Sequence, residues 1–101
     1  MLKNMLSLFF YPKSIAIIGA TADPKKFGNA VTTNILKNKN LTSKVYLISH
    51  GSKEIEGLKS YNSILDISGE IDIAIILVPA NVVNSVVDEC IKKKVKGIII
   101  V

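Results

Sequence analysis

The sequence contains no arginine and no tryptophan, has a single cysteine, and lacks any apolar run long enough to cross a bilayer. Because Cys90 is alone, no internal disulfide can form, and we expect a cytoplasmic protein. A membrane-spanning helix needs about 20 apolar residues, so we expect no membrane association. Residues 1–10 resemble a weak signal peptide, but Ser7 interrupts them and no cleavage site follows. A packed N-terminal helix is the prediction for this segment.

The charge of the chain is carried by lysine alone, with a net value of +5. Such a charge suits nucleic acid, an anionic membrane or a phosphorylated small molecule. Nucleic-acid binders usually concentrate charge on one face and add arginine or aromatic residues. Here the lysines are scattered, for example at 25 and 26, at 37 and 39, and at 92 to 94. We therefore expect no nucleic-acid partner, and a lysine-rich solvated surface explains much of the charge.

Four continuous apolar segments, 14–19, 44–49, 72–78 and 96–101, predict buried parallel strands, since a strand with one wet face would alternate polar and apolar residues. Helical patterns separate them at 28–39 and 81–94, with Asn81 as the expected N-cap. The stretch 54–69 is less regular, but Ser63 to Ile67 suits a short helix that Gly69 ends.

This alternation of strands and helices predicts an α/β fold, a Rossmann-like doubly wound parallel sheet with α/β/α layers. The chain ends within the fourth predicted strand, 96–101. We therefore expect one domain over 1–101, truncated after strand four and forming an N-terminal fragment of a longer chain.

The first predicted strand leads into a loop, 19–28, at the sheet edge where open parallel sheets bind ligands. Gly19 allows a tight turn, and Gly28 lies near the helix start, where free N–H groups attract an anion. Thr21, Lys25 and Lys26 add a hydroxyl and positive charge. A phosphate or pyrophosphate suits this loop, although glycines at strand and helix ends are also ordinary turn residues.

The dinucleotide fingerprint G-x-G-x-x-G is absent, because Thr21 and Pro24 stand where its later glycines belong. NAD binding also requires a carboxylate after the second strand, and none occurs before Glu54. His50 and Lys53 could instead meet an extra ribose phosphate. NADP and coenzyme A (CoA) both carry one.

The third loop, Val78-Pro79-Ala80-Asn81, leads from the third predicted strand into its helix. It either simply ends that strand or forms a wall beside the adenine or the pantetheine arm. The residues do not separate these two interpretations.

Residues 10–21, F-Y-P-K-S-I-A-I-I-G-A-T, resemble the opening P-x-S-I-A-V-I-G-A-S of the CoA-binding domain in NDP-forming acyl-CoA synthetases. This family includes the ADP-forming acetyl-CoA synthetases and is related to the succinyl-CoA synthetase α subunit. Further matching segments follow in order at 28–30, 56–64, 72–80 and 95–100.

The resemblance implies that CoA binds as a substrate, with its phosphates on Gly19 to Thr21 and Lys25 to Gly28. The family usually has a basic turn such as Asn-Pro-Lys after strand two, where this chain has Ser49-His50-Gly51. We expect Lys53 to contact the 3′-phosphate of CoA in place of the basic residue of that turn. The expected CoA-contacting residues are Gly19, Ala20, Thr21, Lys25, Lys26, Phe27, Gly28, Asn29, Ser49, His50, Lys53, Val78, Pro79 and Ala80.

Catalytic residues and metal ligands are expected to be absent, since no nucleophile, base or metal cluster is visible. In the family a phosphorylated histidine lies in a later domain, and His50 does not match its motif. The resemblance thus implies that the fragment binds CoA while other domains or subunits of an acid–thiol ligase perform the chemistry, with oligomerisation as an option. A stand-alone CoA-binding regulatory module and, less favoured, an NADP-binding oxidoreductase domain are the alternatives.

Overall fold

The structure is a computed structural model, and it describes residues 11–21, 23–38, 41–51 and 53–101. The N-terminal helix predicted for 1–10 lies outside these ranges. The elements in chain order are β1 (Ser14–Ile18), α1 (Phe27–Lys37), β2 (Lys44–Ile48), β3 (Glu54–Ile55), β4 (Leu58–Tyr61), a 3₁₀ helix (Ile64–Asp66), β5 (Ile73–Ile76), α2 (Ala80–Lys93) and β6 (Gly97–Ile100).

The strands form one sheet in the order β3-β4-β2-β1-β5-β6, with β1 near its centre. The four strands that the apolar runs predicted are β1, β2, β5 and β6, and all of them pair in parallel. Ile17 of β1, for instance, stands between Leu47 of β2 and Ile75 of β5. The predicted Rossmann-like α/β fold is confirmed.

The two faces of the sheet carry two separate apolar clusters, because side chains alternate along each strand. Ile15 and Ile17 belong to the cluster that α1 covers through Ile35 and Leu36. Ala16 and its neighbours on the other face pack against α2 and the 3₁₀ helix. Helical elements on both faces give the predicted α/β/α layering.

Residues 54–61 differ from the prediction, since they form a β-hairpin rather than an irregular crossover. Strands β3 and β4 pair antiparallel across a two-residue turn in which Glu56 has φ 52° and Gly57 has φ 79°. Strand β4 then pairs in parallel with β2 and extends the sheet. The described part of the chain therefore has a mixed sheet of six strands, two more than the four parallel strands that we expected.

Helix α2 begins one residue earlier than expected. Pro79 occupies the N-cap position with φ −59°, and no side chain caps the helix, so the prediction of Asn81 as N-cap was wrong. The carbonyl of Pro79 accepts the N–H of Val82 at 2.9 Å, which places Asn81 inside the first turn. The short helix expected at 63–67 is confirmed, and Ser63 Oγ caps it by accepting the N–H of Leu65.

The amino edge of the sheet, opposite the carboxyl ends of the parallel strands, is held by a buried carboxylate that the sequence analysis did not single out. Asp72 Oδ2 accepts the backbone N–H of Lys13 at 2.8 Å, and Asp72 Oδ1 lies 3.3 Å from Lys96 Nζ. Ser14 Oγ accepts the N–H of Asp72 and donates to the carbonyl of Glu70. These contacts join the starts of β1, β5 and β6.

Candidate functional site

A cleft of about 580 Å³ opens at the carboxyl ends of β1, β2 and β5. This is the edge at which open parallel sheets bind ligands. The loops after all three strands contribute to its walls. The lining residues are Ile18, Gly19, Ala20, Thr21, Lys26, Phe27, Gly28, Ile48, Ser49, His50, Gly51, Leu77, Val78 and Pro79.

The loop after β1 is fastened to the end of β2. The backbone N–H groups of Gly19 and Ala20 both donate to the carbonyl of Ile48, at 3.0 and 3.2 Å. These two amides are therefore already paired within the protein. A phosphate bound in this loop would need donors other than these two amides.

Two glycines in this loop are required by packing. Gly19 has φ +102°, and a Cβ there would approach the backbone of Leu77 within 3.0 Å. A Cβ on Gly28 would lie 2.4 Å from the carbonyl oxygen of Gly19. Both contacts are between parts of the protein itself, and the one at Gly28 seats α1 directly against the end of β1.

The polar groups in the middle of the loop hold its shape. Thr21 Oγ1 accepts the N–H of Asp23 at 3.1 Å, and Asp23 Oδ1 accepts the N–H of Lys25 at 2.9 Å. Asn29 Nδ2 donates to the carbonyl of Thr21 at 3.0 Å. Asn29 and Lys25 do not line the cleft. Their described hydrogen bonds hold the conformation of the loop.

The N terminus of α1 opens into the cleft without a cap. No side chain caps it, and its first turn has no acidic residue. Within the described ranges, the N–H groups of Phe27 and Gly28 have no acceptor. Lys26, which precedes them, also lines the cleft. Free amides, the positive end of the helix dipole and an ammonium group make this an electropositive position.

The loop after β2 forms a second wall. Ser49 is buried, its N–H donates to the carbonyl of Tyr61 at 2.8 Å, and its Oγ accepts from the N–H of Gly51. His50 is exposed and lines the cleft together with Gly51. Among the described residues at this strand end, none that lines the cleft is Asp or Glu.

Lys53 lies outside the cleft, in a neighbouring depression of about 280 Å³. Lys59, Ser60, Tyr61, Asn62 and Asp66 line the same depression. The hydroxyl of Ser60 is buried without a hydrogen-bond partner. Because β4 is parallel to β2, with Tyr61 opposite Ile48, the depression lies on the same edge of the sheet as the cleft. Sequence reasoning missed Lys59 because it missed the hairpin that carries it.

The loop after β5 completes the cleft through Leu77, Val78 and Pro79. The N–H of Leu77 donates to the carbonyl of Ile18 at 2.8 Å, which extends the β1–β5 ladder up to the cleft floor. Ala80 is already part of α2 and does not line the cleft. Of the predicted site residues, Lys25, Asn29, Lys53 and Ala80 lie outside the cleft lining, and the others share it.

Fold and cleft together define a Rossmann-like α/β domain with a ligand-sized opening above β1. Residues 13–101 match the family model described as a CoA binding domain. The chain therefore belongs to the CoA-binding domain family, and the recognition made from residues 10–21 is confirmed.

Relatives of known name and structure agree with this assignment. The chain is 43% identical to the α subunit of ADP-forming acetate–CoA ligase II from Pyrococcus furiosus, over 96% of this chain and 21% of that subunit. It superimposes with a TM-score of 0.86 and 38% identity on the apo form of dinucleotide-forming acetyl-coenzyme A synthetase 1 from Ca. Korarchaeum cryptofilum, covering 92% of this chain and 20% of the synthetase. The chain thus spans about a fifth of the length of these proteins.

A smaller protein shares the fold. A conserved hypothetical protein from Pyrococcus furiosus superimposes with a TM-score of 0.79 and 28% identity, covering 88% of this chain and 74% of that chain. The same domain therefore occurs both within long synthetases and in a protein not much longer than this chain.

Proposed function

We propose that this domain binds coenzyme A in the cleft and holds its diphosphate at the N terminus of α1. The observation that carries the proposal is the pair of unpaired N–H groups on Phe27 and Gly28, two residues that line an open cleft in a member of the CoA-binding domain family. A helix N terminus without a cap has donors that only water or a ligand can satisfy. An anion satisfies them and gains from the dipole.

The charges around this helix end support an anionic ligand. Lys26 lines the cleft, and Lys25 is exposed beside it. The nearby Asp23 carboxylate is engaged through Oδ1 with the N–H of Lys25. Asp23 does not line the cleft. The described lining residues therefore contribute a cation and free amides, and none of them carries a carboxylate that would repel a diphosphate.

The 3′-phosphate of CoA would be held by the depression beside the cleft. In Rossmann-like domains the adenosine lies over the end of the second strand of the fold, here β2. The depression adjoins that strand end and has two lysines, Lys53 and Lys59. Ser60 also lines the depression, although its hydroxyl is buried. Lys53 thus keeps its proposed role, with Lys59 as a second cation.

The relatives support a place for this domain in an ADP-forming acyl-CoA ligase. In that enzyme, acyl-CoA, ADP and phosphate would interconvert with the acid, CoA and ATP. The described residues bring together no group of three His, Cys, Asp or Glu side chains that could hold a metal ion. The domain's part is to fix CoA, so that its flexible thiol end reaches a reaction centre formed by other domains or subunits. Placement of this kind lowers the entropic barrier of the reaction.

Calorimetry with CoA, dephospho-CoA, NADP and NAD tests the ligand. We expect CoA to bind most tightly and dephospho-CoA more weakly. Lys53→Ala should reduce the preference for CoA over dephospho-CoA, with Lys44→Ala as a control on the same sheet but away from both openings. Equal binding of all four ligands would contradict the proposal, and equal binding of CoA and dephospho-CoA would contradict the role of Lys53.

A stand-alone CoA-binding module is the second candidate, and the short protein from Pyrococcus furiosus favours it. A chimera separates the two functions. The matching segment of the related acetate–CoA ligase α subunit is replaced by residues 1–101, and ligase activity is measured with its partner subunit. Retained activity would support the ligase role. CoA binding without activity in the chimera would favour the stand-alone module.

A further inference from the structure

The ring of Phe27 is an exposed aromatic group at the mouth of the cleft. Phe27 is 63% exposed, although burial of a phenyl ring is strongly favourable. The other described large apolar residues with comparable exposure do not line the cleft; they are Tyr11, Ile91, Ile100 and Val101. We propose that Phe27 is the adenine platform of the site and that its ring stacks on the base of bound CoA. This inference rests on the proposed function and adds a specificity determinant to it.

The position of α1 decides which half of the ligand Phe27 meets. Helix α1 connects β1 with β2, and its Leu36 lines a surface depression together with Glu56 and Leu58 of the β3–β4 hairpin, so the helix lies over the β2 side of the sheet. The adenosine half of a nucleotide lies over the end of β2 in this type of fold. Phe27 is the first residue of α1 and is bonded directly to Gly28, whose amide faces the diphosphate in our proposal. The base therefore lies on the same side of the diphosphate as the ring.

The loop after β2 leaves room for a flat base. Gly51 lines the cleft from the loop after β2, and a Cβ built on Gly51 would meet nothing within 4 Å. The opposite end of the cleft is bounded by Val78 and Pro79 from the loop after β5. Aliphatic side chains there suit the pantetheine arm, which has no aromatic group. The adenine base is the only aromatic part of CoA, so it is the part that best suits stacking on the ring of Phe27.

Two fragments of CoA separate the two halves of the site. Adenosine 3′,5′-bisphosphate carries the base without the arm, and 4′-phosphopantetheine carries the arm without the base. For the full chain, we expect Phe27→Ala to weaken binding of CoA and of adenosine 3′,5′-bisphosphate by about tenfold, the low end of the effect of one stacked base. Phe27→Leu keeps apolar area without an aromatic face and should give a smaller loss. Binding of 4′-phosphopantetheine should not change in either variant.

Ile91→Ala is the matched control, because Ile91 is 64% exposed on α2 and does not line the cleft. It should bind both fragments like the wild type, and thermal unfolding checks that all variants are folded. Unchanged affinity for adenosine 3′,5′-bisphosphate in both Phe27 variants would overturn the inference and leave the proposed function intact. A loss confined to 4′-phosphopantetheine would also overturn it. Failure of the wild-type chain to bind either CoA or adenosine 3′,5′-bisphosphate would contradict the proposed function itself and the inference with it.

Discussion

The Cβ position of Gly28 lies 2.4 Å from the carbonyl oxygen of Gly19, closer than two such atoms can approach. The first turn of α1 therefore rests on the end of β1 with no side chain between them. Thr32, buried one turn later, donates its hydroxyl to the carbonyl of Gly28 at 2.7 Å and holds this turn. This contact is what brings the free amides of the helix to the mouth of the cleft.

We predict that Gly28→Ala destabilises the domain and weakens CoA binding. The added methyl group meets backbone, which cannot rotate away, so the start of α1 must shift outward. Overpacking of this kind costs about 1–3 kcal/mol. Urea denaturation measures the loss of stability, and calorimetry measures the loss of affinity.

Gly51→Ala is the control for Gly28→Ala. Gly51 also lines the cleft, but a Cβ there meets nothing within 4 Å, and its φ lies outside the left-handed range. We expect its stability to stay within about 0.5 kcal/mol of the wild type. A Gly28→Ala variant as stable as Gly51→Ala would contradict the packing argument. A substitution of Gly19 would not separate an effect on CoA binding from an effect on folding, because the φ of +102° at Gly19 makes any side chain strain the backbone.

Lys26→Ala should weaken CoA binding without affecting stability. The side chain is exposed and lines the cleft beside the free amides of α1, so it would contact a phosphate directly. We expect a loss of about tenfold at low salt and a smaller one at high salt, because counterions screen an exposed charge. Lys37→Ala, at the other end of the same helix, changes the net charge equally and should bind like the wild type. Equal losses in the two variants, measured by calorimetry, would show that only net charge matters.

The parallel strands could be predicted from the sequence because buried strands read as continuous apolar runs, as Ile15 to Ile18 does. The hairpin could not be predicted as readily. Strands β3 and β4 are short, and β4 exposes Leu58 and Lys59, so their pattern is weak. The Glu56-Gly57 pair was the available signal, since a two-residue turn with glycine is typical of hairpins.

The location of the cleft in the fold could be predicted from the sequence, but the hydrogen bonds of the residues that line it could not. The fold rule puts a ligand above β1, and Gly19, Lys26 and Gly28 do meet there. The sequence could not show that the amides of Gly19 and Ala20 are already bonded to β2, because that pairing depends on strand register. Lys53 was predicted to contact the ligand in the cleft. It lies instead in a separate depression, because it begins a hairpin that the sequence pattern did not reveal.

Asp72→Asn should destabilise the fold at the edge opposite the cleft. The carboxylate is 5% exposed, accepts the N–H of Lys13 and pairs with Lys96. Breaking a buried ion pair by removing one partner costs about 3–5 kcal/mol, and exposure of Lys96 lowers our expectation to roughly 2–3 kcal/mol. Glu70→Gln removes the exposed partner of Lys96 and should cost less than about 0.5 kcal/mol. Urea denaturation compares the two variants, and equal effects would contradict the assigned role of Asp72.

The stability of the domain should fall as the pH rises from 9 to 11, and Cys90 should cause part of this fall. Its thiol is fully buried, and burial, followed by the charge of Glu89, raises its pKa from 9.0 to about 11. Because the folded pKa exceeds the unfolded one, the contribution of the neutral thiol is complete below pH 9 and is lost as the pH rises towards 11. The loss is at most about 2–3 kcal/mol.

Lys96 adds a loss of the same sign. Its hydrogen bond to Asp72, then the charges of Asp72 and Glu70, raise its pKa above 10.5. The stabilisation by the ammonium group is complete below the unfolded pKa and is lost as the pH rises through the folded pKa. The comparison that isolates the thiol is between the wild type and Cys90→Ala, since Lys96 is common to both. The free energy of unfolding should decline less steeply between pH 9 and 11 in Cys90→Ala, and parallel curves for the two proteins would show that the buried thiol does not set this dependence.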